Sequence, residues 1–302
     1  MLGSPTPQAY RASRDTLLLI LQQAIGSSTH LVAQHALHQL SPETALLWRG
    51  FFAALGAALW LLWHRHWSWL LSALTARERL LLLLLGALGV PLNQWCFFAG
   101  VHRTAAANAS LMYALTPVWA LLLSWALRQE RLNLRKILGI GCAFAGVVAV
   151  LSEREFAFGA EHVQGNLLLL CASVAWAGFT VLSQPLSLQH GALHVTASSM
   201  LVGWLLYVPF WALLDGSLGW DRMTPIVWGE LLYMGVVTSG IGYLLWLVAL
   251  RHMEASKVAI FSTLQPVLTI LASLPLFGFV PSLAFLFGTL LVIAGIVLTH
   301  AG

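Results

Sequence analysis

One stretch of the chain, residues 86–151, decides the fold because it occurs twice. Its centre reads Ala106-Ala-Asn-Ala-Ser-Leu-Met-Tyr-Ala-Leu-Thr-Pro117, and 149 positions later (266 minus 117) the chain reads Ala255-Ser-Lys-Val-Ala-Ile-Phe-Ser-Thr-Leu-Gln-Pro266. The same offset superimposes, without a gap, Gly86 on Gly235, Val118 on Val267, Leu127 on Leu276, Gly139 on Gly288 and Gly146 on Gly295. Self-similarity at a fixed offset predicts an internal duplication of one structural unit.

Composition indicates that the surrounding solvent is lipid. Hydrophobic residues make up 59% of the 302 residues, charged residues make up 9%, and the mean hydropathy is +0.82. Because a soluble domain carries about 25% charged residues, much of this surface must face lipid. The formal net charge of +4 would suit nucleic acid. However, the basic residues lie between and at the ends of apolar runs, and they do not cluster with aromatic residues on a polar face. We therefore expect no nucleic-acid partner.

Apolar segments succeed one another along the chain, and each is long enough to cross about 30 Å of hydrocarbon as a helix. They cover residues 16–37, 44–63, 80–101, 105–127, 134–151, 165–186, 195–214, 227–250, 258–277 and 283–299. The sequence therefore predicts an all-α integral membrane protein with ten transmembrane helices, five in each copy. We expect an N-terminal tail over residues 1–13, a first repeat over 14–152, a linker over 153–164 and a second repeat over 165–302.

Lys and Arg predict the orientation because they accumulate in cytoplasmic loops. Most of them lie on the same side as the N-terminus, so we expect both termini in the cytoplasm and the linker outside. Since five is an odd number of spans, the second repeat enters the membrane from the opposite face, and the two repeats are inverted. Inversion explains why the charged hinge Arg128-Gln-Glu-Arg131 has an uncharged counterpart around Phe279. Inverted repeats are characteristic of secondary transporters.

The duplicated residues resemble a known family. The segments Ala105 to Pro117, Leu127-Arg-Gln-Glu-Arg-Leu132 and Gly139 with Gly146 look like the EamA module of the drug/metabolite transporter superfamily. So do their counterparts in the second copy, together with Ala175-Trp-Ala177. The resemblance covers nearly the whole chain and implies ten helices, two five-helix halves and transport of small metabolites through a central cavity. One departure is Ile25-Gly26, where the family commonly has Trp-Gly in its first helix.

Polar residues on the first and sixth spans are candidates for a substrate pathway. Gln23, Ser27, His30 and Gln34 form one stripe at helical spacing, which should face the protein interior or water. Helix-to-helix hydrogen bonding is the alternative role for such a stripe. By the repeat offset, the corresponding face of the sixth span carries Trp176, Phe179 and Thr180.

The third and eighth spans carry amides and aromatics that suit a small zwitterion or a planar metabolite. These candidates are Asn93, Gln94 and Phe97 in the third span and Tyr243 and Trp246 in the eighth.

In the fourth and ninth spans, Tyr113 and Gln265 are further candidates for the substrate pathway, and they lie close to Pro117 and Pro266. Proline removes a helical hydrogen bond, so the two prolines are candidate hinges, with a static kink as the alternative.

Charged groups leave the coupling question open. No Asp or Glu lies at the centre of a span, and His30 is a candidate proton carrier because its usual pKa is about 6.5. Arg49 lies one to two turns into the second span, where we expect it to reach towards the membrane surface, to bind a backbone carbonyl, or to touch substrate. No catalytic, metal or cofactor motif is present, so we expect none of these.

The sequence thus predicts a secondary transporter in the inner membrane of a bacterium, multi-pass and monomeric. We expect it to move a small metabolite, amino-acid-like or otherwise polar or amphipathic, outward by alternating access. Drugs, nucleosides and sugars remain alternative cargoes. The alternative class is a membrane-embedded enzyme acting on lipid-linked substrates, which would require a cluster of acid, base or metal ligands.

Overall fold

The computed structural model describes residues 7–63, 74–104, 106–151, 162–277 and 282–301. All regular structure in these ranges is helical, and the predicted all-α membrane fold is confirmed. The helical spans are α1 (Pro7–Leu37), α2 (Pro42–Trp63), α3 (Ala76–Val101), α4 (106–126), α5 (Leu134–Leu151), α6 (Val163–His190), α7 (Ala192–Leu214), α8 (Pro225–Leu250), α9 (255–277) and α10 (Leu283–His300). Within the described ranges, nine of these are long and apolar enough to cross a membrane by themselves, and α9 is the shorter one.

The segments expected outside the helices agree with the structure only in part, and some of them cannot be compared with it. Helix α1 begins at Pro7, so the helix already includes part of the tail predicted over residues 1–13. Most of the predicted linker, residues 153–161, lies outside the described residues, and so does Phe279, the counterpart of the charged hinge.

Local sequence determines where several helices start. Thr75 caps α3 by accepting a hydrogen bond from the backbone N–H of Glu78, whose carboxylate binds the Thr75 backbone in return. Thr224 and Ser282 cap α8 and α10 in the same way with their hydroxyl oxygens. Each cap satisfies a backbone N–H that would otherwise lack a partner. Only Gly191 separates α6 from α7, at φ 92°, in the left-handed region that favours glycine.

The last helices of the two repeats, α5 and α10, show how the repeats are related. Gly139 lies against the backbone of Gly295, and Gly146 lies against the backbone of Gly288. The low-numbered glycine of one helix therefore meets the high-numbered glycine of the other, which makes the two helices antiparallel. Since they are equivalent helices of the two copies, the repeats are inverted. Small residues allow this close backbone approach, which stabilises helix pairs in membranes.

Equivalent positions of the two copies meet on an axis that relates them. The Gln94 side chain donates a hydrogen bond to the Tyr243 hydroxyl at 3.1 Å, and these residues are 149 positions apart. The Cys142 thiol approaches the carbonyl of Leu291 at 3.5 Å, again with a separation of 149. A residue can contact its own repeat counterpart only at the axis of a two-fold arrangement. This pseudo-two-fold axis therefore passes between α3 and α8 and between α5 and α10.

The charged hinge between α4 and α5 holds the two repeats together at one end of the bundle. Glu130 is buried, and its carboxylate accepts hydrogen bonds from the backbone N–H and the hydroxyl of Ser256, at the start of α9. Lys136 is also buried and pairs with Glu130 at 2.8 Å and with Glu254 at 2.9 Å. The hinge thus does more than mark an orientation, because it forms an ionic cluster between the repeats.

Candidate substrate cavity

Two helices at the centre of the fold are interrupted by π-helical turns in equivalent places. In α3 the π segment Leu88–Leu92 includes Pro91, and in α8 the segment Met234–Ile241 includes Gly240, the repeat counterpart of Pro91. A π turn inserts an extra residue into the helix, which rotates the side chains that follow it. It therefore determines the direction of the side chains at Gln94 and Tyr243, just after the two segments.

Helices α4 and α9 are broken next to their prolines. Helix α4 consists of Ala106–Tyr113 and Thr116–Ala126, with Pro117 in the first turn of the second piece. In α9 the 3-10 turn Ile260–Thr263 precedes the piece that contains Pro266. Because proline lacks an N–H and clashes with the carbonyl four residues earlier, each break falls where its ring would disturb the helix. Hinge motion at these prolines stays a prediction.

A cavity of about 90 Å³ lies beside these interruptions, between the two repeats. Its lining includes side chains from both copies and from the helices that meet on the axis. Among the predicted pathway residues, the structure brings together Gln23, Asn93, Gln94, Phe97, Tyr113, Trp176, Tyr243 and Gln265.

Aromatic side chains form one wall of the cavity. The ring centroids of Trp176 and Tyr243 are 4.8 Å apart in an edge-to-face contact, and Phe97 contacts Tyr113 in the same way at 5.4 Å. Phe179 is stacked on Trp176 at 5.4 Å with an angle of 9° between the rings. Such pairs stabilise each other beyond the burial of their area, so each ring helps to position its neighbour.

Three predicted pathway residues lie behind this wall and not in the lining. Phe179, Thr180 and Trp246 are all fully buried. The Trp246 indole donates to the Thr180 hydroxyl at 3.0 Å, and that hydroxyl donates to the carbonyl of Trp176 at 2.8 Å. These residues fix the position of Trp176 from behind, which is a supporting role and not the predicted pathway lining.

The hydrogen bonds around Gln94 define which polar groups remain available to a solute. The Tyr243 hydroxyl donates to the carbonyl of Gly89 at 3.1 Å, and a carbonyl can only accept. Tyr243 must therefore accept from the Gln94 amide nitrogen. This arrangement leaves the Gln94 amide oxygen buried without a partner among the described residues.

A second chain of hydrogen bonds leaves a donor available. The Asn93 amide nitrogen donates to the carbonyl of Ala172 and to the Tyr113 hydroxyl, both at 2.8 Å. Since Tyr113 accepts from Asn93, its own O–H hydrogen is available for another acceptor. Within the described ranges, the cavity thus offers an unpaired acceptor at Gln94 and an unpaired donor at Tyr113.

Helix α1 turns only part of the predicted stripe towards the cavity. Gln23 lines the cavity, but the Ser27 hydroxyl donates to the carbonyl of Ala24 in its own helix. Gln34 is exposed near the end of α1, where a polar side chain lies close to the helix terminus and needs no interior partner. The side chain of His30 lies outside the described residues.

Gly26 brings α1 close to α9. A methyl group at this glycine would lie 2.7 Å from the amide nitrogen of Gln265. The glycine therefore provides the space in which the Gln265 amide reaches the cavity. The departure Ile25-Gly26 retains this glycine while lacking the aromatic residue beside it.

Arg49 adds a positive charge to the cavity lining. Its side chain is only 6% exposed, and its Nε donates to the Ser239 hydroxyl at 2.9 Å. The guanidinium lies 5.4 Å from the centre of the Phe98 ring, in the geometry of a cation–π contact. Its burial leaves little of it exposed, and among the described residues it binds no backbone carbonyl, so neither of those two expected roles is seen in the described part of the chain.

Sequence reasoning did not assign several lining residues to the pathway. These are Gln22, Gly26, Thr29, Thr238 and Ser262, while Arg49 was expected there only as one of three alternatives. Gln22, Gly26 and Thr29 form a small and polar stripe at spacings of four and three, as regular as the stripe that contains Gln23. Ser262 is the repeat counterpart of Tyr113, so the offset itself would have found it. Thr238 carries no distinguishing signal in the sequence.

The described structure, with helices in two inverted repeats around a cavity on their axis, defines a multi-pass membrane protein of the transporter class. The sequence model of the EamA-like transporter family matches the chain twice, over residues 16–152 and 163–300. The chain belongs to the EamA-like transporter family, and the resemblance found in its repeated segments is confirmed.

Two relatives of this chain are named as transporters. An uncharacterized transporter of Archaeoglobus fulgidus is 28% identical over 291 residues, covering 96% of this chain and 98% of the relative. A probable terminal-alkyne amino-acid exporter of Streptantibioticus cattleyicolor is 28% identical over 229 residues, covering 74% of each protein. A solved crystal structure shares the fold, with a TM-score of 0.76 at 22% identity over 96% of this chain and 97% of that chain.

Proposed function

We propose that the protein is a secondary transporter that moves a small amino-acid-like solute out of the cell by alternating access. The observation that carries this proposal is the place of the cavity, beside the pseudo-two-fold axis where Gln94 meets its own counterpart Tyr243. When two inverted halves exchange conformations, a site on their axis is exposed first to one side and then to the other. The membrane is the bacterial inner membrane, with both termini in the cytoplasm.

The chemistry of the lining supports the choice of cargo. The cavity combines aromatic rings with amides, hydroxyls and one guanidinium, which suits a solute that has both polar and apolar parts. The relative named as a probable amino-acid exporter supports the same cargo and the outward direction. Breaks in α4 and α9 next to the cavity provide places where helices can bend without losing further hydrogen bonds.

Transport assays in proteoliposomes test this proposal. We expect a panel of labelled amino acids and small metabolites to include at least one that crosses faster than in empty vesicles. Trp176→Ala should reduce that rate, because it removes one wall of the cavity. Trp125→Ala is the matched control, since Trp125 is 53% exposed and does not line the cavity. If no solute crosses faster than in empty vesicles, the proposed function is wrong.

Direction needs a separate measurement. Cells that express the protein should release a preloaded substrate faster than cells that express the Trp176→Ala variant. If expression instead increases net accumulation of that substrate, the protein is an importer, and only the direction in this proposal fails.

A further inference from the structure

We propose that Arg49, together with the hydroxyl of Tyr113, binds a carboxylate of the transported solute, and that the Gln94 amide oxygen accepts a hydrogen bond from its amine. The substrate class is then an amino acid or a close analogue with both groups, and not a neutral sugar, a nucleoside or a cationic drug. This inference deepens the proposed function and rests on it.

Arg49 lacks a negative partner among the described residues. Each carboxylate in those ranges has its own partner elsewhere. Glu43, on the same helix, accepts from the Trp95 indole, and Glu230, on α8, pairs with His35. The guanidinium remains charged under all ordinary conditions. The described part of the cavity thus holds a fixed positive charge without a counter-charge.

The free hydrogen-bonding capacity of Arg49 is large. A guanidinium has five N–H donors, and the described residues use one of them, at Nε. Burying a charge costs several kcal/mol unless it is paired and hydrogen-bonded. A carboxylate is the group that matches the planar donors of a guanidinium, with two parallel hydrogen bonds. An anionic part of the solute would therefore supply the partner that the protein does not provide.

The other unpaired groups of the cavity complete the match. Tyr113 has an O–H hydrogen to donate, which suits a second contact to a carboxylate. The Gln94 oxygen is fixed as an acceptor, because its nitrogen must donate to Tyr243. An acceptor suits the N–H groups of an amine and is a poor neighbour for an anion. Charge and donor pattern thus orient a zwitterion, while the rings of Trp176 and Phe97 receive its apolar side chain.

The repeat counterpart of Arg49 indicates that packing alone does not explain the arginine at this position. The repeat counterpart of Arg49 is Ser198 (49 plus 149), which is also buried. Helices α2 and α7 occupy equivalent places in the two repeats, yet only one of them carries a charge there. Packing in this position therefore does not require an arginine, and the charge needs another explanation.

Ligand-induced thermal stabilisation of the purified protein provides the test. The probes are the twenty standard L-amino acids, a set of nucleosides and sugars, and, for each stabilising amino acid, the amine without its carboxylate and the acid without its amine. We expect stabilisation by one or more amino acids and at least tenfold weaker binding of the carboxylate-free amine. Loss of a hydrogen-bonded charged partner weakens binding by about 10- to 100-fold.

Three variants show which residue is responsible. In Arg49→Gln, the preference for the amino acid over its carboxylate-free amine should disappear, and Arg49→Lys should retain part of it. Tyr113→Phe keeps the ring against Phe97 and should weaken binding of the acid without altering binding of the amine. Arg251→Gln is the matched control, because Arg251 is exposed outside the cavity and its replacement should leave the preference unchanged. Tyr113→Phe keeps the test decisive if the Arg49 variants fail to fold.

The outcomes separate this inference from the proposed function. If nucleosides or sugars bind and amino acids do not, or if the amines bind as well as the amino acids, the carboxylate site is wrong while a transporter remains. The inference is also overturned if the carboxylate preference survives in Arg49→Gln or Tyr113→Phe. If no probe binds and none is transported, the proposed function itself fails.

Discussion

Replacing Gly139 by alanine should push the two repeats apart where helix α5 packs against the backbone of helix α10. A Cβ atom at this position would lie 2.7 Å from the backbone nitrogen of Thr299 and 2.8 Å from the carbonyl oxygen of Gly295. Favourable contacts between non-bonded heavy atoms lie at about 3.5–4.0 Å. Because two of the colliding atoms belong to the backbone of α10, a change of rotamer cannot relieve the clash. Helices α5 and α10 must instead separate by about 1 Å.

The expected cost follows from this separation. Forcing one extra methyl group into a packed interface costs about 1–3 kcal/mol, and moving the helices apart also weakens the Gly146–Gly288 contact further along. Alanine itself favours the helix by about 1 kcal/mol relative to glycine, which offsets part of the loss. We therefore expect Gly139→Ala to lower the free energy of unfolding by about 2 kcal/mol.

Gly141→Ala is a matched control two residues away on the same helix. A Cβ atom there would meet nothing within 4 Å, because Gly141 lies on the exposed face of helix α5. Unfolding in mixed detergent micelles, followed by tryptophan fluorescence or circular dichroism, compares the two variants with the parent. We expect Gly141→Ala to be neutral or slightly stabilising. Equal stability of the two variants would refute the close backbone packing of α5 against α10.

Three further perturbations test other contacts. Glu130→Gln removes the charge that faces buried Lys136. In the same unfolding assay it should lower the free energy of unfolding by roughly 3 kcal/mol. An unchanged stability would show that the ionic cluster is dispensable. Tyr243→Phe leaves the buried Gly89 carbonyl without its donor and should cost about 1–3 kcal/mol, and an unchanged midpoint would contradict that hydrogen bond. Burial raises the pKa of Glu254, but the hydrogen bond and charge of Lys136 outweigh it and hold the pKa below its usual 4.5. A depressed pKa stabilises the folded state above pH 4.5, and this stabilisation should fade as the pH falls through the folded-state pKa. Melting temperatures measured from pH 7 down to about pH 3 should therefore fall less in Glu254→Gln than in the parent, and parallel curves would contradict the pairing.

The fold could be predicted because lipid permits few alternatives. Backbone groups must be satisfied inside each span, so long apolar runs become helices, and an offset of 149 residues defines the repeats. The odd number of spans then requires inversion, which the antiparallel contact of Gly139 with Gly295 confirms. None of these steps depends on the detailed packing of a side chain.

The candidate cavity could be predicted only in part because its geometry depends on helix rotation. Gln23 and its neighbour Gln22 belong to different polar stripes of α1, and a periodic pattern alone cannot show which stripe faces the centre. Phe179 and Trp246 look like lining residues in the sequence, yet the structure places them behind Trp176. The π turn in α8 rotates the side chains that follow it, and no signal in residues 234–241 announces that turn.

The differences between the two copies are as informative as their identities. On an axis of exact symmetry, positions 94 and 243 would carry the same side chain. Instead, Gln94 donates to Tyr243, which donates to Gly89, so the chain of hydrogen bonds runs in one direction. Arg49 likewise faces the cavity in one copy where Ser198 stands in the other. Identical halves would make the two exchanged conformations equal in free energy. In the alternating access proposed here, asymmetric contacts of this kind make the two conformations unequal in free energy, and a solute that pairs with Arg49 changes that balance only by its differential affinity for the two.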